Sequence, residues 1–458
     1  MPLIRVYGAG PPGAAFDSIA PGVRFFAMVR RARWCFPGPM VTQLENDRLT
    51  LVEGEAPMGR LMRENYWVPF ALTAHLTYEQ GPAPIRLFGQ NYVAFRSEDG
   101  RVALMDELCP HRRASLLLAR SEGNGIRCIY HGWKMDVSGC VAEAPTQVVR
   151  PERFASGIRF AHFPVHESGG IAWAWMGGGK AAPFPDLPFA ASNTTHSWIT
   201  VSRMGCNWLQ GLEGSIDSAH VGLLHQTWHR VTADMPDHAH LGLALDAPPR
   251  YQTDTTPYGL RAAALRPTTD GKIYVRVTEH LMPFVTVVTV GRSKPRDGAV
   301  FVVSPVDDTH HLLFFGAYGD TPMPPPEEQP GFVAPGEIPD TYNYAGLRGD
   351  RTNRWGQDRR LLASGHFTGF GRNLLEEDAA VQASMGPIVD RTKENLSSSD
   401  AAVAHVRRML LESLDGAEGG KLPPGSARTD APIRLPNAVE GLVEDEEHWP
   451  ALVGSLAG

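Results

Sequence analysis

Between residues 85 and 106 the chain runs in short apolar stretches of strand length. Ile85-Arg86-Leu87-Phe88-Gly89, Tyr92-Val93-Ala94-Phe95-Arg96 and Val102-Ala103-Leu104-Met105-Asp106 read as β-strands, punctuated by turns at Gln90-Asn91 and Asp99-Gly100. Ile171-Ala172-Trp173-Ala174-Trp175-Met176 reads as a further strand, and Gly177-Gly178-Gly179 after it marks a domain boundary. Downstream, Lys272-Ile273-Tyr274-Val275-Arg276-Val277, Phe284-Val285-Thr286-Val287-Val288-Thr289-Val290 and His311-Leu312-Leu313-Phe314-Phe315-Gly316 are rich in β-branched and aromatic residues. They predict a twisted antiparallel sheet packed against helices. Ser399 to Leu414 has the period of a helix, apolar at Val403, Val406, Leu410 and Leu411 and capped by Ser399 or Asp400. The fold class expected is α+β, an all-β N-terminal domain followed by an antiparallel sheet with helices.

Domain limits follow from these breaks. Residues 1–39 are rich in Gly, Pro and Arg without a clear period, and are expected to be a disordered extension or the product of an upstream start site. Residues 40–176 form the first domain, 177–415 the second, and 416–458, where Gly and Pro become frequent, a tail draped on the surface. Between Gly319 and Arg360 a polar, Pro-rich stretch is too long for an ordinary connection and reads as a lid or a surface excursion.

Composition narrows the class. With 458 residues and 43% apolar content the chain has enough material for two or three ordinary cores. A net charge of −7 argues against a nucleic-acid or anionic-membrane partner, and no run reaches the length of a membrane span. Arg30-Arg31 invites an export reading, but no adequate apolar segment or small-residue cleavage site follows. Five cysteines in this length do not make a disulfide framework. Cys35, Cys140 and Cys206 are most simply free thiols, so a reducing, cytoplasmic location is expected.

The remaining two cysteines carry chemistry. Cys109-Pro110-His111 is followed after sixteen residues by Cys128-Ile129-Tyr130-His131. A Rieske [2Fe-2S] cluster requires this mix, two thiolates on one iron and two neutral imidazoles on the other. Zinc accepts the same residue types, but its usual spacing pairs Cys with Cys and His with His, whereas each pair here is mixed. Gly123, Gly125, Gly132 and Gly139 suit tight loops around such a cluster.

A second constellation lies at Glu213, Asp217, His220 and His225. At 100° per residue Asp217 and His220 fall about 40° and 20° to either side of Glu213, so one helix face would carry all three. His225 points away from that face, so a site using both histidines requires the helix to end or distort, and Gly222 is a permissive place for it. Two His supply two corners of a facial triad for non-haem Fe(II), and a carboxylate must supply the third. By proximity the local candidates are Glu213 and Asp217.

Cys109-Pro110-His111-Arg112 and Cys128-Ile129-Tyr130-His131-Gly132-Trp133-Lys134 resemble the Rieske domain of ring-hydroxylating oxygenase large subunits, and Glu213, Asp217, His220 and His225 resemble the second half of that family's signature. The phthalate-dioxygenase-like branch is most similar, from Pro57-Met58-Gly59 to Asp390-Arg391-Thr392 and Ser399-Asp400, over roughly residues 40 to 415. The resemblance implies a helix-grip catalytic domain and a third iron ligand at Asp378, because Leu375-Glu376-Glu377-Asp378 with Gln382 and Met385-Gly386 is similar to the family's ligand segment. It makes Asp217 a bridge from His220 to His131 of a neighbouring subunit, and Glu213 a supporting acid. It also implies a head-to-tail homo-oligomer, commonly a trimer or its multiple.

The expected function is therefore a terminal oxygenase component. Electrons pass from the Rieske cluster to mononuclear Fe(II), which activates O₂ to hydroxylate an aromatic substrate, and the likeness to this branch implies a carboxylated or oxygenated one. An O- or N-demethylating monooxygenase is the alternative from the same chemistry, and an electron-transfer protein without oxygenase activity the alternative from another class. No βαβ unit with a glycine-rich dinucleotide turn is read in the chain, so NAD(P)H electrons are expected through a separate reductase, with or without a ferredoxin. Arg203, Arg230, Arg276 and Arg292 are candidate carboxylate clamps, none separable from the others by sequence. Trp208, Phe284, Phe315 and Phe367 are candidate pocket walls.

Overall fold

The computed structural model describes residues 41–190, 197–233, 248–290, 297–320, 324–328, 332–334, 337 and 340–454. The expectation for residues 1–39 lies outside the described residues. Two helices open the described chain, α1 (Gln43–Thr50) and α2 (Pro57–Asn65). Eleven strands follow in three small antiparallel sheets: β1 (Trp67–Leu72) with β11 (Ile171–Trp175) and β10 (Val165–Ser168); β2 (Ala83–Leu87), β3 (Gln90–Arg96), β4 (Val102–Asp106) and β9 (His162–Phe163); and β5 (Arg120–Glu122), β6 (Gly125–Arg127), β7 (Lys134–Asp136) and β8 (Val141–Glu143). A short helix, α3 (Pro151–Gly157), packs beside β8.

The β2–β3 turn sits two residues earlier than the sequence pattern places it. Leu87 pairs with Gln90, so the turn is Phe88-Gly89, with φ of 51° and 77°. Both central residues are left-handed, which matches the twist of a two-residue hairpin. Phe88 tolerates this because its side chain is fully buried and the turn docks on the second domain, Gly89 N–H donating to Val306 O at 2.8 Å.

The large sheet is antiparallel in the order β12-β18-β17-β16-β15-β14-β13, comprising Ser197–Met204, His310–Tyr318, Gly298–Asp307, Val285–Thr289, Ile273–Leu281, Gly259–Pro267 and Arg250–Thr255. Across it lie α4 (Trp208–Ile216) and the long Ala401–Glu418 helix. α4 starts where Asn207, fully buried, accepts from Leu209 N–H at 3.0 Å and donates to Thr50 O and Asp308 O. Its apolar residues Trp208, Leu209, Leu212 and Ile216 face the sheet core.

Three details differ from the sequence reading. The long helix buries Val403, Val406 and Leu410, but neither Ser399 nor Asp400 caps it with a side-chain bond; a 3₁₀ turn with a Ser397–Asp400 capping box precedes it. The segment after Asp415, expected to drape the surface, supplies a strand, β19 (Val439–Val443). It pairs antiparallel with Ile273–Val277 of β15, the half of that strand that β16 leaves open, and buries Val439, Val443 and Trp449. An open edge of this kind is costly to leave unpaired. Finally, one hydrophobic core crosses the glycine run at 177–179, joining Trp67, Trp173 and Trp175 to Leu187, Trp208 and Val285; a separate core forms around Cys109 and Cys128 with Phe95, Met105, Ile126 and Met135. No helix of the described residues is long and apolar enough to cross a membrane.

Candidate metal centres

Two loops of matching construction carry the Cys-His pairs. In the first, Cys109 N–H donates to Ala114 O and Arg113 N–H to Cys109 O, both at 2.9 Å; in the second, Cys128 N–H donates to Trp133 O at 2.8 Å and Gly132 N–H to Cys128 O at 3.0 Å. The fifth residue of each loop has positive φ, 59° at Arg113 and 75° at Gly132. The same backbone fold, repeated, presents two buried thiols and two half-buried imidazoles to one place. The rings of His111 and His131 are 4.5 Å apart, and His111 stacks on Trp133 at 4.5 Å and 5°. Trp133 is itself held by Thr146 Oγ1 at 3.0 Å, and Arg127 Nη1 donates to Gly132 O at 2.6 Å.

The donor chemistry fits an iron–sulfur cluster. Burial pushes the Cys109 thiol up to about 11, so a thiolate there needs a cation beside it. Burial and the neighbouring His131 and Arg112 lower His111, which favours the neutral imidazole that a metal takes.

The second set forms at a break in the α4 segment. α4 ends at Ile216, and Asp217 is extended at φ −71°, ψ 110°. Its Oδ1 accepts Ala219 N–H at 2.7 Å, a local bond that competes with helix continuation. The chain then enters α5 (Val221–Leu224), which separates His220 from His225, and α6 (Gln226–Ala233). The break is therefore at Asp217 and not at Gly222, and the single helix face expected for Glu213, Asp217 and His220 does not exist.

The break leaves both histidines facing one carboxylate. His220 Nε2 lies 3.5 Å from Asp378 Oδ1 and His225 Nε2 lies 3.4 Å from Asp378 Oδ2. One ligand atom from each of the three residues lies within 4.8 Å of the others. Behind the set, each Nδ1 meets another acid: Asp217 Oδ2 at 3.2 Å from His220 and Glu377 Oε2 at 2.7 Å from His225. Glu377 is fully buried and also accepts from Thr368 Oγ1. With each Nδ1–H given to its acid, both Nε2 lone pairs would be left for a bound ion. Burial lowers the His225 imidazolium but Asp378 and Glu377 outweigh it and raise the group to about 9; burial raises Asp378, and the histidines, His225 first, outweigh it and hold that carboxyl down. A cluster with surplus buried negative charge fits a divalent cation.

Glu213 is not part of this set. Its carboxylate accepts from Arg391 Nε and Nη2 at 3.0 and 2.9 Å and from Arg407 Nε at 2.7 Å, tying α4 to the long helix. Glu377 went unnoticed in the sequence as a supporting group; its only signal was a doubled acid beside Asp378 in the helix Leu374–Ser384.

Asp217, His220, His225 and Asp378 border a pocket of about 1060 Å³, its open mouth included. Phe301, Phe315, Phe332, Leu313 and Val288 supply apolar wall and Arg276 a cation. Of the expected walls Phe315 lines it, Trp208 and Phe284 are core, and Phe367 is exposed. Phe332 comes from the Pro-rich excursion, whose Tyr344 is buried and donates to Phe332 O at 3.0 Å.

Comparison with known proteins follows the two centres. Residues 66–155 match the Rieske [2Fe-2S] domain, and residues 174–456 match the family described as LigXa C-terminal domain like. The chain is 36% identical to the phthalate 4,5-dioxygenase oxygenase subunit of Pseudomonas putida over 90% of its length and 94% of that protein. It is 34% identical to the 3-chlorobenzoate-3,4-dioxygenase oxygenase subunit of Comamonas testosteroni, over 85% and 93%. Among solved structures, the QL mutant of Pseudomonas putida CBB5 NdmA with caffeine superposes with a TM-score of 0.53 at 18% identity, covering 82% of this chain and 97% of that one. An oxygenase and ferredoxin complex of carbazole 1,9a-dioxygenase does so at 0.53 and 16%, covering 85% and 97%.

Proposed function

The chain belongs to the Rieske non-haem iron oxygenases as an oxygenase subunit, and from that premise we propose that it oxidises a small aromatic substrate in the pocket beside His220, His225 and Asp378. Cys109, Cys128, His111 and His131 would hold the [2Fe-2S] cluster, and His220, His225 and Asp378 the mononuclear Fe(II). When bound, these centres supply one-electron reduction and O₂ activation. The protein's own residues do the rest. Asp217 and Glu377 hold the two imidazoles in the ligating tautomer, and Phe301, Phe315 and Phe332 orient a ring and exclude water.

The observation that carries this reading is the paired support of His220 and His225 by separate acids, with both Nε2 atoms directed at Asp378. A pure electron carrier has no use for such a set beside an apolar pocket. We also propose a cytoplasmic head-to-tail ring, a trimer or a multiple of it, fed by an NAD(P)H-dependent reductase with or without a ferredoxin. In this ring Asp217 links His220 to His131 of a neighbouring copy. Apolar side chains left open around the cluster loops, Ile129, Tyr130, Val148 and Val149, support a partner surface there.

The test is iron and sulfide analysis with EPR on anaerobically purified, dithionite-reduced protein, followed by product analysis on an aromatic panel. Three irons and two sulfides per chain are expected, with a cis-diol as product; formaldehyde release would instead assign demethylation. Two irons without a mononuclear site would overturn the oxygenase reading.

A further inference from the structure

The break that displays Asp217 is fastened to the large sheet through the next residue. Ser218 is 2% exposed, and each of its polar groups meets a strand side chain. Its N–H donates to Tyr251 Oη at 2.8 Å, its carbonyl accepts from Arg266 Nη2 at 2.5 Å, and its Oγ lies 3.4 Å from Arg276 Nη1. These three side chains come from the neighbouring strands β13, β14 and β15. Tyr251 Oη also donates to Asp217 Oδ1 at 3.4 Å, the oxygen that accepts Ala219 N–H. One phenol therefore ties both the backbone of the break and the carboxylate that the break presents. Arg266 is 1% exposed, and its Nε has no partner among the described residues. A buried guanidinium held by neutral oxygens is costly. Its place just past the carbonyl end of α4, with Asp217 opposing the downward pull of burial and Arg276, offsets part of that cost.

The segment has a competing form. Asp217 N–H still donates to Glu213 O at 3.0 Å, so without the bonds to Ser218 the helix can continue. A continued helix turns His225 away from the face that carries His220, and the two imidazoles no longer share Asp378. We propose that Tyr251 and Arg266 are positioning residues for the mononuclear centre: by fixing Ser218 to the sheet they hold the break in the form that sets Asp217 against His220 and brings both histidines to Asp378. This rests on the oxygenase reading for what the centre does, and adds the residues outside it that keep it assembled. Tyr251 acts through Asp217 and Ser218, and Arg266 through Ser218 alone.

Anaerobic Fe(II) titration of the cluster-loaded protein against a competing chelator tests the proposal on wild type, Tyr251→Phe, Arg266→Met and Arg266→Lys, with thermal unfolding measured on the same samples. Tyr251→Phe is expected to weaken Fe(II) binding at the mononuclear site at least about 5-fold, the size of one net hydrogen bond. Arg266→Met removes the buried charge together with its desolvation, so the unfolding midpoint should hold or rise while Fe(II) binding weakens by a similar factor. Arg266→Lys should recover part of the affinity, because a cation can still reach Ser218 O. A merely structural role gives the opposite pairing, a lower midpoint with unchanged Fe(II) affinity, and that result overturns the proposal. If Arg266→Met does not fold, Tyr251→Phe decides, and wild-type affinity in that variant overturns it. Fe(II) binding is read without turnover, so the two readings fail separately. Unchanged affinity in every variant, beside normal oxidation of an aromatic, sinks this proposal alone. Weakened affinity in the variants of a chain that oxidises nothing sinks the oxygenase reading alone.

Discussion

His225 Nδ1 lies 2.7 Å from Glu377 Oε2, so an imidazole at the end of α5 is aimed by an acid 152 residues downstream. Glu377 is fully buried and its other oxygen is satisfied by Thr368. Both side chains are buried, and the geometry of the pair sets where His225 Nε2 points.

Glu377→Ala is expected to lower affinity for the mononuclear iron about 10–100-fold while leaving the cluster intact. Iron content after dialysis against a graded chelator, read beside the visible spectrum, measures both at once. Equal iron retention in wild type and variant would show that Glu377 does not position the site.

Asp217→Asn is expected to keep both metal centres and to slow cluster oxidation in a single turnover by at least about 10-fold, since an amide replaces the carboxylate that meets His220 at 3.2 Å. Stopped-flow absorption of pre-reduced protein with substrate and O₂ gives the rate. An unchanged rate would remove Asp217 from the electron path.

His111→Ala should abolish the cluster's colour, because it removes one of the two imidazoles that the cluster's second iron requires. His220→Ala should keep the colour and lose the mononuclear iron and activity. Loss of both signals in either variant would mean that the two sites do not fold independently, against the separate core seen around Cys109 and Cys128.

Glu213→Gln tests the Arg391–Glu213–Arg407 network away from the metals. Removing one partner of a buried ionic set costs about 3–5 kcal/mol, read as a lower denaturation midpoint with metal content unchanged. Burial raises the Glu213 carboxyl, and the two guanidiniums outweigh it and hold the group below its ordinary 4.5. A depressed folded-state value contributes stability that is fully present above the unfolded value and is lost as pH falls through the folded one. The gap between wild type and Glu213→Gln should therefore be widest above the ordinary carboxyl value and should narrow as pH falls through the depressed folded-state one. A pH-independent gap would contradict the ionic account.

Truncation after Arg434 should impair folding, because it removes β19 and leaves Ile273–Val277 an open edge over the arginine pair. Soluble, monodisperse truncated protein with an unchanged midpoint would show that the C-terminal strand is dispensable.

The family and the α+β fold class were legible in the sequence because their signals are local. Cys109 and His111 are two residues apart, Cys128 and His131 three, and the chemistry of a Rieske centre constrains residue type and spacing directly. Strand existence was likewise legible from β-branched runs such as Val285–Thr289, although the β2–β3 turn moved to Phe88-Gly89 because docking on Val306 overrode local turn propensity. Tertiary structure decided what depends on contacts between distant residues. Helical periodicity put Glu213 beside His220, but the Asp217 side chain bonds to Ala219 and ends the helix, sending Glu213 to Arg391 and Arg407. Asp378 approaches the histidines, and Glu377 backs one of them, across more than 150 residues of chain that no periodicity spans. Among four candidate arginines the sequence offered no ground for choice. Arg203 proves exposed, Arg230 and Arg292 have no described side chains, and Arg276 is set apart by burial beside Arg266 without a carboxylate, a property of the folded sheet that one-dimensional order does not contain.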